Sequence, residues 1–248
     1  MPDPHMNLFY SYNHDNELIE NNLTRAFLVT LKHLSPPLRT RLIRRILRVS
    51  TSDRGCGNPA ESLDFGAAEF ALQGHVDRAA VAGARCKCLL SISSAPVFET
   101  SSIPQEAYPS IPDGWIVAPH GEYCILIESK VGTNPLDAVQ IAAHAREWLR
   151  VDDPGEITRV VSWEQISAAL ADECEDPRAT SDSAHERAML RELLDFLQFY
   201  GYRPFRGLKV DGQLDAPGWQ LTRRPAVRKD LQPVSLLKSP PAFTIGVH

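Results

Sequence analysis

Apolar side chains recur along residues 17–34 at a helical interval, with Ile19, Leu23, Ala26, Phe27, Leu31 and Leu34 on one stripe. Asp15 stands where an N-cap belongs, and Ser35-Pro36-Pro37 stops the pattern. Residues 38–49 predict a second helix, with Leu42, Ile43, Ile46 and Leu47 on one side and arginines on the other. Residues 50–58 read as loop, and residues 68–82 and 85–93 read as strands. Pro96, Pro104, Pro109 and Pro112 break the segment that follows. Residues 111–130, IPDGWIVAPHGEYCILIESK, then resolve into a hairpin: WIVA, a turn at PHGE, and YCILIESK. Asn134-Pro135 signals a helix start, and residues 136–150 carry Ala138, Ile141, Ala145 and Trp148 as a buried stripe.

TRVVSW is a short β-branched strand. Ser162 with Gln165, and Ser183 with Glu186, form capping boxes ahead of two more helices. The second of these places Leu190, Leu193, Leu194 and Leu197 in the core, and from Gly201 the periodicity fades. The order helix, helix, strands, hairpin, helix, strand, helices predicts an α/β protein with a mixed central sheet flanked by helices. It predicts one domain over residues 1–202 and an irregular basic tail over residues 203–248.

Composition changes this picture little. A chain of 248 residues, 43% apolar and 23% charged, supports one sizeable core. No apolar run nears the about 20 residues of a membrane span, so no membrane partner is expected. The N-terminus lacks the basic stretch and apolar block of a secretory signal. Five cysteines are scattered without zinc-type spacing, and Cys86 and Cys88 alternate as packing residues would. The expectation is a reducing cytoplasm.

Charge is more informative. The net charge of −5 argues against a chain that coats nucleic acid non-specifically. Yet residues 39–48 carry five arginines and no acid, and the tail from Arg203 holds eight Lys or Arg against three Asp. Local basic patches on an acidic body suit a polyanion gripped at one face. A solvated amphipathic face is the ordinary reading of the same arginines.

The candidate chemistry lies at the hairpin. Residues two apart in a strand share a face, so Glu128 and Lys130 point the same way as the run Ile125-Leu126-Ile127 leaves the core. Asp113 opens the neighbouring strand, and pairing brings its carboxylate toward Glu128. Converging carboxylates suit Mg²⁺, with Mn²⁺ as a substitute. A lysine beside that cation is placed to orient or deprotonate water, or to stabilise charge on a phosphate. A Pro-Asp-Gly turn and an exposed ladder pair are the plainer alternatives. His75 and Asp77 offer no third ligand and read as core or surface.

Pro112-Asp113, followed by Glu128-Ser129-Lys130 on the next strand, resembles the PD-(D/E)XK motif of the restriction-endonuclease-like nuclease superfamily. The resemblance covers about residues 16–200. It implies a core of helix, three-stranded meander, helix and strand, with extra helices at the N- and C-terminal sides. Glu20 matches the acidic residue many members carry on the first core helix, and Gln140 matches a position where several branches place a metal- or DNA-binding Gln. His144 lies one turn further on, toward the same cleft. The segment SWEQI and its leucine-rich successor resemble members associated with prokaryotic defence against foreign DNA.

By this resemblance the chain is a Mg²⁺-dependent endodeoxyribonuclease. Asp113 and Glu128 hold the metal, Glu20 adds a ligand, Lys130 activates the attacking water and Gln140 steadies metal or backbone. Arg39, Arg41, Arg44, Arg45, Arg48 and His144 are the candidate nucleic-acid contacts. A regulatory protein partner or homo-oligomerisation would control it. The alternatives are a nuclease-fold binding or assembly subunit and an RNA nuclease, since no module that reads a 2′-hydroxyl is recognisable.

Overall fold

The first apolar stripe becomes helix α1 (Ile19–His33), and the arginine-rich segment becomes α2 (Pro36–Val49). These belong to a computed structural model that describes residues 19–52, 62–94, 111–132, 134–176 and 184–204, with two short backbone segments beyond. Asp15 lies outside the described residues. The prolines do not merely end α1. Pro36 and Pro37 occupy the first turn of α2, where a missing N–H leaves no bond unmade. Arg39 fastens the join, donating to the carbonyls of Leu31, Lys32, Leu34 and Gly66. Carbonyls left over at the end of α1 thereby find a donor.

The sheet contains β1 (Glu69–Leu72), β2 (Cys86–Ile92), β3 (Gly114–Val117), β4 (Tyr123–Ser129) and β5 (Thr158–Val161). Residues 68–82 are not one strand, as their pattern predicts. The backbone turns at Gln73 (φ 54°), and Asp77 caps α3 (Arg78–Ala82) by accepting from Ala79 N. Local capping wins over strand continuation there. The helix after β4 also starts later than Asn134-Pro135 suggests: α4 (Ala138–His144) is capped by Asp137. It runs into a π-helical turn, Ala145–Leu149. The capping box of Ser162 and Gln165 opens α5 (Trp163–Glu175). Ser183, and with it the second capping box, lies outside the described residues; Glu186, on α6 (Ala184–Phe199), accepts from Ser35 N at 2.6 Å.

Strand order is β1-β3-β4-β2-β5. β3 is antiparallel to β1 and β4, whereas β2 is parallel to β4 and β5, so the sheet is mixed. β1, β3 and β4 lie side by side, but the chain between β1 and β3 makes an excursion to place β2 beyond β4. That interrupts in sequence the simple three-stranded meander expected. Leu23, Phe27, Trp163 and Leu190 from α1, α5 and α6 cover one face with Ile125 and Ile127. Ile141 and Trp148 cover the other with Leu126 and Trp115. β4 is buried along its whole length, which is why it reads as a continuous apolar run.

Backbone contacts divide the chain into Met1–Phe205 and Arg206–His248. In the second unit β6 (Lys209–Val210) pairs antiparallel with β7 (Ile245–Gly246). No helix among the described residues is long and apolar enough to cross a membrane.

Candidate metal centre

Ligands in open α/β sheets collect at the carboxyl ends of parallel strands, and the acidic residues of this chain meet at such an end. Gly114 pairs with Ile127, so Asp113 stands beside Glu128, its N–H donating to Ile127 O at 3.1 Å. On the other flank, Lys130 N donates to Ile92 O at 2.8 Å just past the end of β4. α1 delivers Glu20 from across the sheet. One oxygen from each of Glu20, Asp113 and Glu128 lies within 4.8 Å of the others. Among the described residues this is the one group of three or more His, Cys, Asp or Glu so gathered.

Glycine makes the approach of α1 possible. A Cβ at Gly114 would overlap Leu28 Cδ1 and lie 3.5 Å from Thr24 Cγ2. The glycine after Asp113 therefore serves close helix packing. It begins β3 rather than a Pro-Asp-Gly turn.

Alternation along the strand gives Glu128-Ser129-Lys130 two directions. Glu128 and Lys130 share one face, where Lys130 Nζ donates to Glu128 Oε1 at 2.7 Å and to Glu20 Oε1 at 3.1 Å. His144 Nε2 lies 2.9 Å from Glu128 Oε2, and both side chains are closed to solvent, at 0% and 1% exposure. Ser129 faces α1 instead. Its N–H and Oγ donate to Asp113 Oδ2 at 2.7 and 3.2 Å, and its Oγ is 2.7 Å from Thr24 Oγ1. Thr24 and Ser129 are thus supports that sequence reasoning missed. The available signal was Ser129 on the strand face it shares with Ile125 and Ile127, where a buried hydroxyl demands a partner.

Burial pushes the Asp113 carboxyl up to about 7, with the charges of Glu128 and Glu20 adding to it and the Ser129 N–H opposing. Glu20 is raised by burial and by Glu128, against the pull of Lys130. Burial would lower the Lys130 ammonium, but Glu128 and Glu20 outweigh it and hold the group above the ordinary lysine value. Three carboxylates thus crowd around one ammonium. A hard, oxygen-seeking divalent cation fits this donor set and would relieve the excess negative charge.

The structure thus brings together Asp113, Glu128, Lys130 and Glu20. His144 joins them from behind Glu128 rather than from an exposed surface, so it presents no nitrogen to a polyanion. Gln140 is partly buried on α4, one turn before His144. Most arginines of the basic helix also make contacts within the fold. Arg39 donates to Leu31 O and Lys32 O of α1, Arg44 Nε donates to Leu63 O, and Arg41 and Arg45 both donate to the fully buried Glu173 of α5. Arg48 is exposed near the end of α2. Asp77 serves as a cap and His75 is exposed.

The chain matches no protein-family model, no curated protein and no solved structure. Fold and site define an α/β protein with a largely buried acidic centre at the end of its central strand.

Proposed function

We propose that this chain is a metal-dependent nuclease that hydrolyses DNA phosphodiester bonds, acting in the cytoplasm against foreign DNA. The observation that carries the reading is the convergence of Glu20, Asp113 and Glu128 with Lys130 at the end of β4. A strand buried this thoroughly has no structural need for such a group. Asp113, Glu128 and Glu20 would hold Mg²⁺ or Mn²⁺. When bound, such a cation polarises a phosphoryl oxygen and offsets charge on the phosphate.

The chain's own residues supply the rest. Ser129 holds Asp113 by two hydrogen bonds, so one carboxylate oxygen keeps a fixed direction. Lys130 presents an ammonium within reach of the carboxylates, able to orient a water or to stabilise negative charge growing on phosphorus. Hydrolysis joins the water oxygen to phosphorus and breaks the bond to the leaving oxygen, giving a phosphate monoester and a hydroxyl. The likeness of Pro112-Asp113 and Glu128-Ser129-Lys130 to restriction-endonuclease-like enzymes favours DNA. An unregulated DNase would destroy its own genome, so control by a protein partner or by self-association belongs to the proposal.

Purified protein incubated with supercoiled plasmid, linear DNA and RNA, with Mg²⁺, Mn²⁺ or EDTA, tests it. Metal-dependent nicking of the plasmid is expected. Cleavage of RNA alone would transfer the same centre to RNA. No cleavage with any metal, together with full biological activity of Lys130→Ala in cells, would leave the fold as a binding or assembly subunit.

A further inference from the structure

A carboxylate that ligates a cation must be held in one orientation. A glutamate that is free to rotate loses side-chain entropy when it is fixed. Glu128 is the least exposed of the three carboxylates, and its two oxygens are already committed to different elements. Oε1 accepts from Lys130, just past the end of its strand, at 2.7 Å. Oε2 lies 2.9 Å from Nε2 of His144, on a helix 16 residues away in sequence. An ionised carboxylate only accepts, so beside an ionised Glu128 the Nε2 of His144 would be the donor.

We infer that His144 is a positioning residue for Glu128, setting the carboxylate's orientation so that the acidic centre is preformed for a divalent cation. The inference rests on the metal-centre reading above and deepens it. Three observations support it. His144 has no exposed surface, so it cannot act on a substrate directly. It reaches the sheet from the last turn of α4, a helix docked by Leu136, Ile141 and Trp148 on the face that Glu128 shares with Leu126. And the helix passes into π geometry immediately after His144, an irregularity that recurs at functional sites in α-helices. A histidine used only for packing would not need a buried carboxylate as its neighbour, since burying both groups is costly unless they pair.

Partners that orient a ligating carboxylate typically contribute about 10–100-fold to metal affinity. Two amide replacements separate positioning from simple space-filling. Glutamine can present an N–H near the place of Nε2, whereas the shorter asparagine falls short of Glu128. Mn²⁺ binding to the full-length chain, read by electron paramagnetic resonance, is measured for wild type, His144→Gln and His144→Asn, with thermal melting to confirm folding. Expected is a weakening of about 10–100-fold in His144→Asn and near-recovery in His144→Gln. Equal affinity in wild type and folded His144→Asn overturns the inference while leaving the metal centre standing. So does a folded His144→Gln that binds as weakly as His144→Asn. Should His144→Asn not fold, His144→Gln carries the decision: affinity within a few-fold of wild type supports the assignment and a loss of about 10-fold or more overturns it. A wild type that binds no Mn²⁺ removes the metal centre and, with it, this role for His144.

Discussion

Lys130 and Asp113 meet the same acidic group with opposite signs, and substitutions at the two should part company. Lys130→Ala is expected to lower cleavage by about 10²–10³-fold, the usual loss when one donor to developing charge is removed. Under the proposed nuclease reading, DNA binding should be nearly unchanged, because such affinity would rest on phosphate contacts away from Lys130. Plasmid nicking beside a filter-binding assay reads both. Glu128→Ala should also be inactive, but through weakened metal binding, so raised Mg²⁺ partly restores it. Asp113→Asn should end cleavage and yet stabilise the metal-free protein. The folded Asp113 carboxyl lies at about 7, above its ordinary 3.8, so the folded state holds a proton that the unfolded chain has released. That contribution is complete below the ordinary value and is lost as pH rises toward 7. An uncharged asparagine does not titrate. Melting in EDTA should therefore show the two proteins close at about pH 4 and the variant ahead at about pH 8, by a few degrees. Equal melting at both would mean Asp113 feels no such crowding. Asp113, Glu128 and Lys130 were legible from the two-residue strand period and the motif. The motif also set His144 toward the cleft, but its contact with Glu128, and that of Thr24 with Ser129, were not legible, because each depends on where a helix lands on the sheet.

At the level of elements, Gly114 decides how near α1 comes to β3. Gly114→Ala would force Leu28 aside, and such overpacking costs about 1–3 kcal/mol. Urea denaturation should register that loss, and activity should fall further than stability because Glu20 rides on the displaced helix. An unchanged midpoint would mean that α1 yields freely. The long helices and β4 were legible because their apolar periods run for many residues. The pair β1 and α3 was not: a five-residue helix is too short to display a period, and Asp77 capping decides it locally. Sheet order was hidden for another reason. β2 pairs with β4 and β5 across long sequence separations that no local pattern encodes.

Over the whole molecule, charge segregation was legible but the internal contacts of the arginines were not. Arg39, Arg41, Arg44 and Arg45 tie α2 to α1, to the segment before β1 and to α5, so much of the basic stretch works inside the fold. Cysteine follows burial more simply. The thiols of Cys88 and Cys124 are pushed up to about 12 by burial, so at about pH 8 only a fraction on the order of 10⁻⁴ is thiolate. Both should stay silent to an alkylating reagent in the native protein and react once urea unfolds it, as mass spectrometry of the labelled peptides would show. Labelling of either under native conditions would reveal an opening of the sheet.

Because Lys130 spans Glu20 and Glu128, the acidic centre carries a counter-ion on a tether. An attached ammonium acts at an effective concentration that dissolved ions seldom reach. Sodium or potassium, with a single charge, gains little by competing with it, whereas a divalent ion gains twice the Coulomb energy from the same oxygens. On the proposed metal-centre reading, discrimination by valence would reside in a side chain, and a chelator should leave the fold standing.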